Sequence, residues 1–161
     1  MANVFEPRWD GESDGLRRAR VGEQLGTDHL GISVYELEPG QSMVFHYHLQ
    51  NEELLIVLRG TVSLRTPEGW RDLREGDAVV FPRGERGAHG FENRTRDATR
   101  VLLLGELNGP NVSVYPDTNE IGIFDAPLRR ERRFGARFRL DDAQSGYGGV
   151  EPTLPDYSSP R

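Results

Sequence analysis

His46 and His48, one residue apart, and Glu53, five residues further on, are the side chains best placed to do chemistry in this chain. Side chains on a strand alternate between its two faces, so the two imidazoles point the same way and can reach one ion. Glu53 has the opposite parity. It joins them only if the chain turns over residues 49–52, a polar stretch suited to turning. A third histidine, His89, lies in a Gly- and Pro-rich segment downstream. Neutral imidazoles with a carboxylate suit a divalent transition metal such as iron, manganese, nickel, copper or zinc. Around such an ion, His46, His48, Glu53 and His89 would leave a net positive charge and open coordination positions for water, oxygen or substrate. Glu53 is also the candidate proton acceptor.

Strands are the elements that must carry these residues. Residues 32–37 alternate as a strand should, and Pro39-Gly40 turns the chain into the segment that bears His46 and His48. Leu54-Leu55-Ile56-Val57-Leu58 is an unbroken apolar run, short enough for a strand buried on both faces. One face would line a barrel, and the other would pack on a second layer or a second subunit. Further short runs at 61–65, 70–73, 78–81, 100–105 and 112–115 are separated by turn residues, giving eight or nine strands in an all-β sandwich or barrel. Gly40, Gly60, Gly76 and Gly84 fall where turns need positive φ, and Asn93 where a strand bend needs a side chain to bond backbone. Tyr47 faces away from the histidines and is expected to pack. Tyr35, Phe45, Phe81 and Phe91 either line the mouth of the cavity or pack in the core, with core packing favoured at strand spacing, and His29 is expected on an exposed loop.

Outside the strands the chain reads as arms. Residues 1–29 form an N-terminal arm with a short helix expected near Leu16–Arg20, residues 30–123 the barrel, and residues 124–161 an Arg-rich segment and flexible tail. Arg129, Arg130, Arg132, Arg133, Arg137 and Arg139 crowd the start of that last segment, which is expected to lie on the surface, with an anion-binding flap or a subunit-docking arm as the alternative.

Composition narrows the function classes. With no cysteine, disulfides, zinc fingers and thiol catalysis are excluded. All 20 basic residues are arginine, so Schiff-base chemistry on lysine is excluded too. A net charge of −6 argues against nucleic acid as a partner. No apolar run approaches a membrane span, and the first residues lack the apolar stretch of a signal peptide, so no membrane partner and a cytoplasmic location are expected.

The motif pair Gly40-x5-His46-x-His48-x4-Glu53-x6-Gly60 and Gly76-x5-Pro82-x-Gly84, followed by His89-x3-Asn93, resembles the two conserved boxes of the cupin superfamily. The wider segment is similar to a group of small single-domain bacterial cupins, through Asn51-Glu52-Glu53-Leu54-Leu55, Phe81-Pro82-Arg83-Gly84 and Val114-Tyr115-Pro116-Asp117 among others. The resemblance implies an all-β, double-stranded β-helix (jelly-roll) barrel with His46, His48, Glu53 and His89 as metal ligands. The second box departs in spacing: four residues separate Gly84 from His89 where the usual motif has two. A longer turn would have to absorb them, which Gly84 and Gly87 allow. The function implied is a metal-dependent small-molecule enzyme, a dioxygenase or an isomerase or lyase, with a non-catalytic module that binds or senses a small ligand or metal as the alternative. The two-faced apolar strand and the N-terminal arm point to a homodimer.

Overall fold

Period-2 alternation of inward and outward side chains builds two facing sheets. The computed structural model describes residues 1–13, 15–124 and 134–142. In chain order the strands are β1 (Gly11–Ser13), β2 (Leu16–Ala19), β3 (Leu30–Leu37), β4 (Ser42–His48), β5 (Glu53–Arg59), β6 (Thr61–Thr66), β7 (Gly69–Arg74), β8 (Ala78–Phe81), β9 (His89–Glu92), β10 (Thr99–Glu106), β11 (Asn111–Tyr115), β12 (Glu120–Phe124) and β13 (Gly135–Arg139). One sheet has the order β1-β2-β3-β10-β5-β8 and the other β13-β12-β11-β4-β9-β6-β7. The all-β double-sheet barrel expected from the sequence is the fold observed. It has more strands than the expected eight or nine, because edge strands extend both sheets at their ends.

One local expectation fails. Residues 16–19 are not helical: Leu16–Ala19 form β2, and the short helix α1 follows at Val21–Leu25. Leu, Arg and Ala favour helix locally, but pairing with β3 (Leu16 opposite Leu37, Arg18 opposite Tyr35) satisfies the backbone and sorts the side chains. Leu16 and Arg18 turn inward, while Ala19 turns outward into a cluster with Val21 and Val34. Ala2, Val4 and Trp9 cover that outer cluster, so the described residues of the N-terminal arm wrap the back of the first sheet. Leu58 packs there as well.

Between the sheets lies the main core. Leu37, Leu55, Val57, Val62, Leu64, Phe81, Phe91 and Val101 are buried together. Each such aliphatic side chain contributes about 1.5–3 kcal/mol by leaving water. Of the apolar run on β5, Leu55 and Val57 face this core, and Leu54, Ile56 and Leu58 are half-buried on the other face. Tyr47 and Phe45 are buried in a separate cluster with Ala88 and Val114, on the side of β4 away from the histidines. Gly40, Gly60, Gly76 and Gly84 all have φ between 78° and 88°. Asn93 donates to Leu37 O and Asp97 O across the strand bend, and His29 is exposed. No helix among the described residues is long and apolar enough to cross a membrane.

Arg137 and Arg139 lie on β13, where the Arg137 guanidinium stacks 3.8 Å over the Tyr115 ring. Arg129, Arg130, Arg132, Arg133 and the tail from residue 143 lie outside the described residues.

Candidate metal centre

Strand register brings the four residues to one place. His46 sits opposite His89 across β4 and β9, and His48 opposite Ser113 across β4 and β11. In the facing sheet, Glu53 opens β5 between Phe81 on β8 and Gly105 on β10. A register shift in β4 matters here. Met43 pairs with Phe91 and His46 with His89, so β4 spends three residues where β9 spends two. This bulge flips the parity of β4, letting Met43 pack on the core while His46 and His48 also face inward.

His46, His48 and Glu53 each offer a ligand atom within 4.8 Å of the others. The His46 ring centroid lies 4.9 Å from that of His48 and 4.8 Å from that of His89. Glu53 Oε2 is 3.3 Å from His48 Nε2 and 3.2 Å from His89 Nε2. The structure therefore brings all four residues together, at the end of the barrel core.

His89 reaches this point through the insertion. Residues Glu85–Gly87 form a 3-10 turn, so the extra length is taken up before β9 begins. Its ring stacks on Phe81 at 3.7 Å between centroids and 7° between planes, and only 1% of its side chain is exposed.

Every imidazole has its Nδ1 occupied. His46 Nδ1 lies 2.9 Å from Val44 O, His89 Nδ1 2.9 Å from Gly87 O, and His48 Nδ1 3.0 Å from both Asn111 Oδ1 and Ser113 Oγ. A carbonyl oxygen only accepts, so these contacts place the proton on Nδ1 and leave Nε2 as the free lone pair. Asn51 Nδ2 donates to the same Asn111 Oδ1 at 3.0 Å, which fixes that amide's orientation. Asn51, Asn111 and Ser113 were not singled out in the sequence as functional. Two of them lie more than sixty residues from His48, a separation that no local motif spans.

The electrostatics favour a cation. Burial alone would raise the Glu53 carboxyl, but the imidazoles of His48 and His89 outweigh it and hold the group well below the usual carboxylate range. Burial and the neighbouring His89 and His48 push His46 down to about 4, against a weaker opposing pull from Glu53. Burial also disfavours charge on His48, yet its contact with Glu53 prevails and raises it. The site thus holds an ionised carboxylate close to an imidazole, His46, that stays neutral at neutral pH. Glu53 Oε2 and His89 Nε2 are both buried and lack a directed hydrogen bond despite their proximity. Orphaned buried polar atoms of this kind fit a shared ion.

Asn111→Ala should loosen His48 without removing a ligand. We expect metal affinity to fall by about 10- to 100-fold, the usual consequence of losing a hydrogen bond to a ligating imidazole. Competition with a chromophoric chelator measures this. Unchanged affinity would show that Ser113 alone orients the ring.

Comparisons with known proteins agree with this architecture. The family model described as "Cupin domain" matches residues 33–105. The chain is 39% identical over 67 residues to the auxin-binding protein ABP19b of Prunus persica, covering 37% of this chain and 32% of that protein. It is 32% identical over 68 residues to the tetracenomycin polyketide synthase protein TcmJ of Streptomyces glaucescens, covering 42% of this chain and 44% of that one. The match thus spans a third to under half of these relatives' length. Among solved structures, a sugar phosphate isomerase from a cupin superfamily of Silicibacter pomeroyi superposes with a TM-score of 0.75, at 23% identity over 93% of this chain and 99% of that one. The polyketide cyclase RemF of Streptomyces resistomycificus gives 0.55, at 22% identity over 66% and 78%. At such identities the structural likeness speaks for the fold alone. Residues 33–105, a little under half of the chain, match the cupin domain, and the double-sheet barrel around them is the fold of the cupin structures it superposes on.

Proposed function

We propose that the chain is a metal-dependent enzyme acting on a small molecule, with His46, His48, Glu53 and His89 holding a divalent transition metal. The observation that carries this reading is the pair of buried, unsatisfied atoms Glu53 Oε2 and His89 Nε2, at the point where the imidazoles converge. Leaving such atoms without a partner costs about 1–3 kcal/mol each, which a bound ion would offset.

When bound, the ion supplies Lewis-acid or redox chemistry at a substrate oxygen. The chain's own residues do the rest. The Nδ1 bonds fix the rings, Phe81 walls one side of His89, and the apolar core below excludes water. Glu53 is ionised far below neutral pH, which makes it a good ligand and a weak base. Tyr35, whose phenol is raised mainly by burial and further by the Glu53 charge, stays protonated and can donate to a substrate oxygen. Oxygen activation and isomerase or lyase chemistry both suit this arrangement. Oxygen uptake with a redox metal is expected of the first, and turnover with zinc and no oxygen uptake of the second.

Metal removal tests the reading. A ligand present at a hundred times its dissociation constant adds about 2.7 kcal/mol of stability, worth roughly 5–10 °C in Tm for a chain of this size. Chelator-treated protein should therefore melt several degrees lower and regain that difference with one equivalent of iron, manganese, nickel, copper or zinc. No shift with any of them would defeat the proposal. A shift without turnover of any substrate would leave a binding module.

A further inference from the structure

Arg17 and Arg18 are neighbours in sequence with opposite surroundings. Arg17 faces outward, pairs with Glu36 at 2.9 Å and lies 4.3 Å over the Trp9 ring. Arg18 faces inward and lines a cavity of about 110 Å³ together with Ser33, Tyr35, His48, Glu53 and Asn111. Among the described residues it makes one hydrogen bond, from Nη2 to Ser33 Oγ at 3.3 Å, and its guanidinium carbon sits 5.3 Å from the Tyr35 ring centroid. Arg18 Nε is buried with no partner. No carboxylate among the described residues lies within ion-pair distance of it. A guanidinium carries five N–H donors in a fixed fork, and most of these are unspent here.

The cavity's other charges are accounted for. Glu53 belongs to the metal cluster. Glu106 also lines the wall, but Arg83 engages both its oxygens at 2.7 and 3.0 Å, and the Glu52 N–H donates to it. With a divalent ion on the cluster, Glu53 cancels only part of its charge and Arg18 adds another positive charge. An overall acidic chain thus holds a locally cationic pocket. Its size limits what enters. At about 110 Å³ the cavity is far below the ~300 Å³ of a pocket for a drug-sized ligand.

We propose that Arg18 is an oxyanion-binding residue of this site, holding a carboxylate or phosphate group of a small substrate whose other end meets the His48–Glu53 side of the cavity. The proposal rests on the small-molecule reading above and adds the substrate class to it: a compact anion, or the anionic end of a longer molecule. A guanidinium matches either oxyanion by two parallel hydrogen bonds, and the Tyr35 hydroxyl and Ser33 stand beside it as further donors.

The test is calorimetric titration of metal-loaded protein with inorganic phosphate and, separately, with malonate, at constant ionic strength. Wild type, Arg18→Lys and Arg18→Met are compared, with metal content and thermal melts recorded on the same samples. Wild type is expected to bind at least one probe, Arg18→Met to bind it at least about tenfold more weakly, and Arg18→Lys to fall between. The preferred probe identifies the anion as phosphoryl or carboxylate. Equal affinity in wild type and Arg18→Met, or no binding of either probe by wild type, overturns the proposal. Metal retained alongside either result leaves the metal-site reading standing. Arg18-dependent binding in protein that holds no metal would instead uphold the anion site and sink the metal-enzyme reading.

Discussion

His89→Ala is expected to strip the protein of stoichiometric metal while leaving the barrel folded. The His89 ring is 1% exposed, its Nε2 is 3.2 Å from Glu53 Oε2, and that nitrogen has no directed hydrogen bond. Its removal deletes one of four converging groups and leaves Glu53 with one close imidazole fewer. Losing only a supporting hydrogen bond costs about 10- to 100-fold in metal affinity, so losing the ligand should cost more than that. The fold has a separate stake in this ring, because it stacks on Phe81 at the edge of the core. Deleting it opens a cavity, with a destabilisation on the order of 2–3 kcal/mol. His89→Gln, which keeps much of the volume, separates the two effects: it should restore most of the lost stability and little of the metal. Elemental analysis beside thermal melts reads both. Wild-type metal content in His89→Ala would remove His89 from the ligand set and leave His46, His48 and Glu53 as the whole site.

The barrel and the meeting of these residues were legible because they depend on short-range rules. Parity alone puts His46 and His48 on one face, and a polar turn at 49–52 brings Glu53 round to them. Alternation separated Tyr47 from the histidines, and it packs in its own cluster. What stayed hidden depends on register between distant strands. The β4 bulge at Met43–His46 shows only when β9 is laid beside it. Asn111 and Ser113 reach His48 from β11, a partnership set by which strands pair and at what offset. Arg18 was missed for a different reason. Leu-Arg-Arg-Ala reads locally as helix, whereas the free edge of β3 makes it a strand and turns one of two adjacent arginines into the cavity. Tertiary pairing overrode propensity there, and the misread segment is the one that carries the anion-binding proposal.

Gly87→Ala is expected to weaken metal binding at least about tenfold, although residue 87 touches no ion in any reading of the site. The inserted turn looked permissive in the sequence because glycine tolerates many conformations. Its constraint is steric. A Cβ at position 87 would stand 1.7 Å from Pro82 O and 2.8 Å from Pro82 C, both backbone atoms with no rotamer to give. The turn Glu85–Gly87 must therefore move as a body. Gly87 O accepts the hydrogen bond from His89 Nδ1, and Gly87 N–H donates to Gly84 O, both at 2.9 Å. Shifting the turn releases the imidazole's tautomer and its aim together. Overpacking of this kind costs about 1–3 kcal/mol, or roughly 2–12 °C in Tm, and the freed ligand should cost at least about tenfold in metal affinity. Gly84→Ala is the control. Gly84 sits at φ 78° and ψ −169°, a region almost confined to glycine, with nothing within 4 Å of an added Cβ, so it should lose about 1–3 kcal/mol through backbone strain while keeping its metal. Metal lost in Gly87→Ala and kept in Gly84→Ala would establish the close approach to Pro82 as what aims His89. Metal kept in both would mean that β9 pairing with β4 holds His89 in place without the turn.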